Sequence, residues 1–298
     1  MKLNNILVPS DFSENAEQAV LHAMTLAAEF DAKITLFHVV TVYDDDPYSA
    51  EQAFPKIDDF YKHLESQADE YFKKTIKDYF KDQFRVEKVI QRGFSPYEEI
   101  LSYVDEHDVD LIAMGTHGRK PLARFFLGSV TEKVVHHAPC PVMSTRITDQ
   151  DVKSIEPYKR IVVPIDFSEQ SKAALNLAKE LLFDKDGQLE LIHVIEDIVH
   201  PAYYSSEANS LFDFMPDIRE KSEESIRKMA EEETKGLNAN VVIEEGRIAK
   251  QVLNYADSTQ ADLIVMGTHG LNALEQLFIG SVANQVIRKA PCPVVTVK

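Results

Sequence analysis

The chain has few of the residues that mark secreted, membrane-spanning or nucleic-acid-coating proteins. Only two cysteines occur in 298 residues, too few for a disulfide framework or a cysteine-based metal cluster. No apolar run approaches the roughly 18 residues that a membrane span needs. The opening MKLNNILVPSDF also lacks the apolar core of a signal peptide, so a cytoplasmic protein is expected. Basic residues are in the minority, with 32 Lys and Arg against 49 Asp and Glu and a formal net charge of −17. Duplex nucleic acid and anionic membranes both require a basic face, so neither is expected as a partner. Any phosphate ligand must be held by local geometry instead.

Several catalytic and phosphate-binding signatures are missing as well. Neither G-x-x-x-x-G-K-[ST] nor G-x-G-x-x-G occurs, which removes the usual supports for P-loop hydrolysis and dinucleotide hydride transfer. A nucleophile elbow for Ser-His-Asp chemistry is likewise absent. What the chain does carry is one segment twice. GTHGRKPLARFFLGSV begins at Gly115 and GTHGLNALEQLFIGSV at Gly267, with the glycines and the serine at identical spacing. Glycines spaced G-x2-G-x9-G-S, after an apolar run and just ahead of a helix-like stretch, let a backbone approach phosphate oxygens closely. Two such loops imply two nucleotide sites.

The duplication covers the chain. ILVPSDFSENAEQAV at Ile6 recurs as IVVPIDFSEQSKAAL at Ile161, and HHAPCPVM at His136 as RKAPCPVV at Arg288. Asp11 and Asp166 stand at the same offset as His38 and His193, and the offset shortens by only three residues at Gly115 and Gly267. Units of about 150 residues can each bury a core, so this is a two-domain duplication rather than a solenoid. Domains are expected at 1–147 and 158–298, joined through the polar stretch ITDQDVKSIEPY. Cys140 and Cys292 occupy one inherited position in APCPV and read as small buried apolar residues.

In the first repeat the pattern predicts strands at 6–8, 33–40, 86–90, 111–114 and 141–145, with helices at 16–30, 54–82, 96–107 and 129–137. The second repeat predicts strands at 189–194, 241–244, 263–266 and 293–297. The helix over 54–82 is the longest, and its aromatics read as core. Short apolar strands alternating with helices predict, in each half, a doubly wound open parallel sheet of the α/β class. Ligands of such folds bind outside the carboxyl ends of the strands at the switch point, where Asp11, Val39 and Gly115 would converge.

ILVPSDFS paired with GTHG…GSV and then APCPV, in both halves, resembles the universal stress protein family. The resemblance implies two tandem Rossmann-like domains with five-stranded parallel sheets. It also implies an adenine nucleotide in each: ATP, or AMP or ADP, with magnesium or manganese bridging the phosphates. It places Asp11 and Asp166 at the ribose, next to Pro9 and Pro164, and the backbone of Val39 and Val194 at adenine. It assigns Gly115, Gly118, Gly128 and Ser129, and likewise Gly267, Gly270, Gly280 and Ser281, to the phosphates. The family's strand pairing further implies an intramolecular pseudo-dimer, with 142–145 lying against 294–297, since pairing protects an exposed sheet edge. A homodimer of the whole chain is compatible with that arrangement. The function implied is a cytosolic regulatory or protective module in the stress response. The alternatives are an enzyme of slow ATP hydrolysis or autophosphorylation and an interaction scaffold with vestigial sites. The sequence leaves the downstream protein partner unnamed.

Other roles are open to some of these residues. Asp11 could cap the helix that follows it, and Ser129 with Glu132 has the spacing of a capping box. His117 and His269 lie between paired glycines without the partners that general acid–base catalysis requires, and read as loop supports. His38 and His193 end strands and read as satisfied by backbone or core rather than as metal ligands. Asp44, Asp45 and Asp46 lack a distributed ligand pattern and read as a solvated loop.

The two glycine loops differ in charge. The first holds Arg119, Lys120 and Arg124, where the second has Leu271, Asn272 and Gln276 with Glu275 beside them. The second half also replaces Gly93-x-x-Pro96 with Gly246-Arg247-Ile248-Ala249, which alters the expected pocket wall. Nearby cations favour a polyphosphate by about a kcal/mol each at a partly screened surface, so the first site is expected to bind ATP more tightly. ATP titration of Gly118→Val and Gly270→Val at low and moderate salt checks this. Gly118→Val should lose the tighter phase, and its loss in Gly270→Val alone would reverse the asymmetry.

Overall fold

A computed structural model of the chain describes residues 3–42, 57–80, 84–116, 127–147, 156–183, 186–196, 217–270 and 279–298. The chain divides into two compact units, with the changeover between Ile147 and Pro157.

The first unit runs β1 (Asn5–Pro9), α1 (Glu14–Phe30), β2 (Lys33–Thr41), α2 (Ile57–Tyr79), β3 (Arg85–Gly93), α3 (Pro96–Glu106), β4 (Leu111–Gly115), α4 (Ser129–His137) and β5 (Val142–Thr145). Its sheet has the order β3-β2-β1-β4-β5, and every pairing is parallel. The chain therefore winds outward from β1 in one direction and then restarts at β4 in the other. With right-handed crossovers, that reversal puts helices on opposite faces of the sheet. It also opens a crevice where β1 and β4 lie side by side and their connections diverge.

The second unit repeats the plan with β6 (Arg160–Pro164), α5 (Glu169–Leu181), β7 (Gln188–Ile195), α6 (Ile218–Glu233), β8 (Asn238–Glu245), α7 (Ile248–Ser258), β9 (Leu263–Gly267), α8 (Ser281–Lys289) and β10 (Val294–Val297). Its order is β8-β7-β6-β9-β10, again with parallel pairings. Each unit is thus a doubly wound α/β domain.

Central strands such as β1 and β4 bury both faces, and Ile6, Leu7, Val8, Ile112 and Ala113 are inaccessible to solvent. This is why they read as uninterrupted apolar runs. At the end of the sheet away from the crevice, one carboxylate fixes the alignment of the two central strands. Asp110 Oδ2 accepts from the backbone N–H of Asn4 at 2.7 Å and of Asn5 at 2.9 Å. Asp262 Oδ2 does the same for Lys159 and Arg160, both at 2.8 Å. The outer strands are less apolar, and β3 and β8 extend beyond the predicted 86–90 and 241–244 because polar residues continue them.

The long helix α2 departs from the expectation for its side chains. Phe60 is 55% exposed and Tyr71 41% exposed, whereas Ala68 and Phe72 are buried. The reason is position: α2 packs against β2 and β3 at the margin of the sheet and has only a narrow stripe to bury. Its flank is held by charge instead, with Arg92 reaching Glu65 at 2.6 Å and Asp58 at 2.7 Å. Phe54 lies outside the described residues. Cys292 is buried as expected, but Cys140 is only partly buried.

Helix α1 carries a buried imidazole, His22, at the position filled by Leu177 in α5. Burial disfavours the charged form and pushes His22 down from 6.5 to about 4. The unfolded chain therefore binds a proton that the folded chain refuses, and stability falls as pH drops from about 6.5 toward 4. His22→Leu should remove that part of the slope, about 3 kcal/mol by pH 4. Urea unfolding at pH 7 and pH 4.5 measures it, and an unchanged difference between the two pH values would contradict the assignment.

Candidate functional site

In each unit the crevice begins with a sharp turn between the first strand and its helix. Asp11 Oδ1 accepts from Ser13 N at 3.1 Å and from Ser13 Oγ at 2.6 Å. Ser13 Oγ in turn accepts from Ala16 N at 3.3 Å and caps α1. The helix cap is therefore Ser13, and Asp11 braces the cap from two residues back. Asp166 does likewise, with Ser168 N at 3.0 Å and Ser168 Oγ at 2.5 Å, while Ser168 caps α5 through Ser171 N at 3.1 Å. To make this turn, Phe12 adopts φ 63° and Phe167 φ 64°, a left-handed conformation that costs a residue with a Cβ about 1–2 kcal/mol.

The second wall is the end of β2. Ser10 N donates to Phe37 O at 2.8 Å, the last link between β1 and β2. Backbone groups two residues apart along a strand point to the same side, so those of Val39 point where β1 has already turned away. They open into the crevice. In the second unit Ile165 N donates to Ile192 O at 2.8 Å, which leaves Val194 in the same situation.

The third wall is the amino end of α4, or of α8. Gly128 and Gly280 are the N-caps, and neither helix receives a side-chain cap. Ser129 and Ser281 are thus the first helical residues, and the capping box expected from Ser129 and Glu132 does not form. Gly128 N donates to Thr116 O at 2.7 Å, and a Cβ there would stand 2.9 Å from that oxygen. Only a glycine can bring the helix so close to the end of β4. The uncapped N–H groups of the first turn carry the positive end of the helix dipole.

These walls enclose a cavity of about 470 Å³ in the first unit and about 450 Å³ in the second. Pro9, Asp11, Val39, Gly115, Gly128 and Ser129 all line the first. Pro164, Asp166, Val194, Gly267, Gly270, Gly280 and Ser281 all line the second. Gly118 and His117 lie outside the described residues. So do Asp44, Asp45 and Asp46, and the loop side chains on which the charge asymmetry rests: Arg119, Lys120, Arg124, Leu271, Asn272, Glu275 and Gln276. In the second cavity a Cβ on Gly270 would come within 2.5 Å of Asp166 Oδ2, so this glycine lets the loop lie directly against the aspartate.

Sequence reasoning passed over Thr131, whose Oγ1 donates to Gly115 O at 2.7 Å and ties α4 to β4 at the cavity floor. Its place three residues into the loop-following helix was the available signal. Ala283 replaces it in the second cavity, Ile165 replaces Ser10, and Ile248 stands at the wall where Pro96 and Ile100 close the first. Arg247 occupies the N-cap position of α7 without a side-chain capping bond and is not among the described lining residues. His38 and His193 both engage a backbone carbonyl, and His269 Nδ1 lies 3.0 Å from Thr268 Oγ1. Among the described residues no cluster of three or more His, Cys, Asp or Glu could hold a metal ion. No helix of the described residues is long and apolar enough to cross a membrane.

Comparison with known proteins agrees with this architecture. The sequence profile of the universal stress protein family matches residues 2–146 and again 157–298. A universal stress protein of Methanocaldococcus jannaschii is 37% identical over 149 residues, a match that takes in 47% of this chain and 82% of that one. One from Thermus aquaticus is 33% identical over 141 residues, covering 47% of this chain and 99% of its own. The crystal structure of a universal stress protein from Archaeoglobus fulgidus superimposes with a TM-score of 0.67 at 25% identity, covering 100% of this chain and 99% of that one. With one match in each half, the chain belongs to the universal stress protein family.

Proposed function

We propose that each unit binds one adenine nucleotide, ATP or its products AMP and ADP, and that the chain serves as a regulatory or protective module in the stress response. One observation carries this reading. A carboxylate, open strand-end backbone groups and an uncapped helix amino terminus surround a single cavity, and the arrangement occurs twice. Each element suits a different part of a nucleotide. Asp11 or Asp166 accepts hydrogen bonds from ribose hydroxyls. The N–H and C=O of Val39 or Val194 pair with a base edge that offers one donor and one acceptor. The first-turn N–H groups of α4 or α8, with Ser129 or Ser281, face the phosphates. The helix dipole adds positive potential at the phosphate end of each cavity.

A divalent cation, magnesium or manganese, would bridge the phosphates of the bound nucleotide. The fifth strands pair across a pseudo-two-fold axis in this reading, which rests on the family resemblance and on the protection that pairing gives an exposed sheet edge.

Adenine and guanine present different donor and acceptor patterns along the edge that would meet Val39 and Val194. A mismatch leaves a backbone group unpaired at a cost of about 1–3 kcal/mol. Equilibrium titration should therefore show ATP and AMP binding more tightly than GTP, by on the order of tenfold. A GTP affinity equal to or above that of ATP would refute the adenine assignment.

A further inference from the structure

We propose that His38 and His193 are positioning residues that set the orientation of the cavity aspartates, an inference that rests on reading those aspartates as ribose contacts. His38 Nδ1 donates to Ser10 O at 2.7 Å. That carbonyl belongs to the peptide group leading into Asp11, so the bond fixes the plane from which the aspartate side chain departs. The same ring packs on the next residue, with centroids 4.4 Å apart between His38 and Phe12. Phe12 is the residue held at φ 63°, a conformation that persists only where its surroundings enforce it. One imidazole thus grips the backbone before the aspartate and the ring after it. Ser13 then fixes the carboxylate through Oδ1.

The second unit repeats the arrangement. His193 Nδ1 donates to Ile165 O at 2.7 Å, its ring lies 4.9 Å from Phe167, and Phe167 sits at φ 64°. The neighbours have changed, Ser10 to Ile165 and Ala16 to Ser171, while the histidine and its geometry have not. The bond also sets the tautomer, with the proton on Nδ1.

The test compares a His38→Leu, His193→Leu double variant with a His38→Asn, His193→Asn double variant in the full chain. Asparagine keeps an N–H close to the place of Nδ1, and leucine does not. Each is titrated with ATP and, separately, with tripolyphosphate, which has phosphates but no ribose. The leucine pair should weaken ATP on the order of tenfold and leave tripolyphosphate unchanged, and the asparagine pair should restore most of the loss. Equal weakening toward both ligands, no rescue by asparagine, or unchanged ATP affinity would overturn the proposal. If the wild-type chain binds no ATP, the nucleotide reading itself has failed. The histidine claim then stands or falls on ring ¹⁵N chemical shifts of the wild-type chain, which do not depend on whether any variant folds. Nδ1-protonated rings at both positions support it, and Nε2-protonated neutral rings contradict it.

Discussion

The site depends on how a buried parallel strand is turned into a helix within a few residues. β1 and β6 run through the centre of their sheets and must hand the chain to a helix on one face. The turn that achieves this puts Phe12 and Phe167 in left-handed conformations, which an L-residue with a bulky side chain resists. Hydrogen bonds on both sides of the turn offset that cost: the capping serine donates to the aspartate, and the histidine to the preceding carbonyl. The strain therefore leaves a carboxylate fixed at the mouth of the crevice. Because β1 has turned away, the end of β2 keeps β3 on one side and faces the crevice on the other. The reversal of winding direction then brings the amino end of α4 to the other side.

Much of this was legible in the amino-acid sequence because the relevant signals are spacings. The Asp-Phe-Ser turn, the glycines around the helix start and the strand end at Val39 are each defined within a few residues. The repeat places every one of them twice. The fold was legible for a related reason, since strands buried on both faces are short apolar runs with helical patterns between them. What was not legible depended on three-dimensional neighbours. Ser129 with Glu132 has the spacing of a capping box, but the helix starts one residue earlier in effect, with Gly128 as its cap, because the Thr116 carbonyl draws that glycine in. Asp11 read as the possible cap of α1, whereas Ser13 holds that place and Asp11 braces it. The aromatics of α2 read as core because periodicity reports a face without reporting what covers it. Cys140 and Cys292 share a motif and differ in burial, which no motif encodes.

The duplication has kept the frame and let the lining change. Thr131 and Ser10 tie the first cavity to its own backbone through hydroxyl groups, and their counterparts Ala283 and Ile165 cannot. In the second cavity Gly270 lies against Asp166. Such replacements alter rigidity and polarity around a constant set of walls, so two copies of one site can differ in ligand preference without any change of fold. The same division appears in the core, where His22 in α1 corresponds to Leu177 in α5. The first unit thereby has a proton-linked stability that the second lacks at that position.

The central claim is that each unit builds a complete nucleotide site from its strand-to-helix turn, its second strand and the start of one later helix. A crystal structure of the full chain grown with ATP tests this most directly. The account predicts a nucleotide in both cavities, with the base on the backbone of Val39 and Val194, the ribose at Asp11 and Asp166, and the phosphates at the first turns of α4 and α8. Nucleotide bound outside these cavities, or inside them with its phosphates at the strand ends and its base at the helix starts, would contradict it.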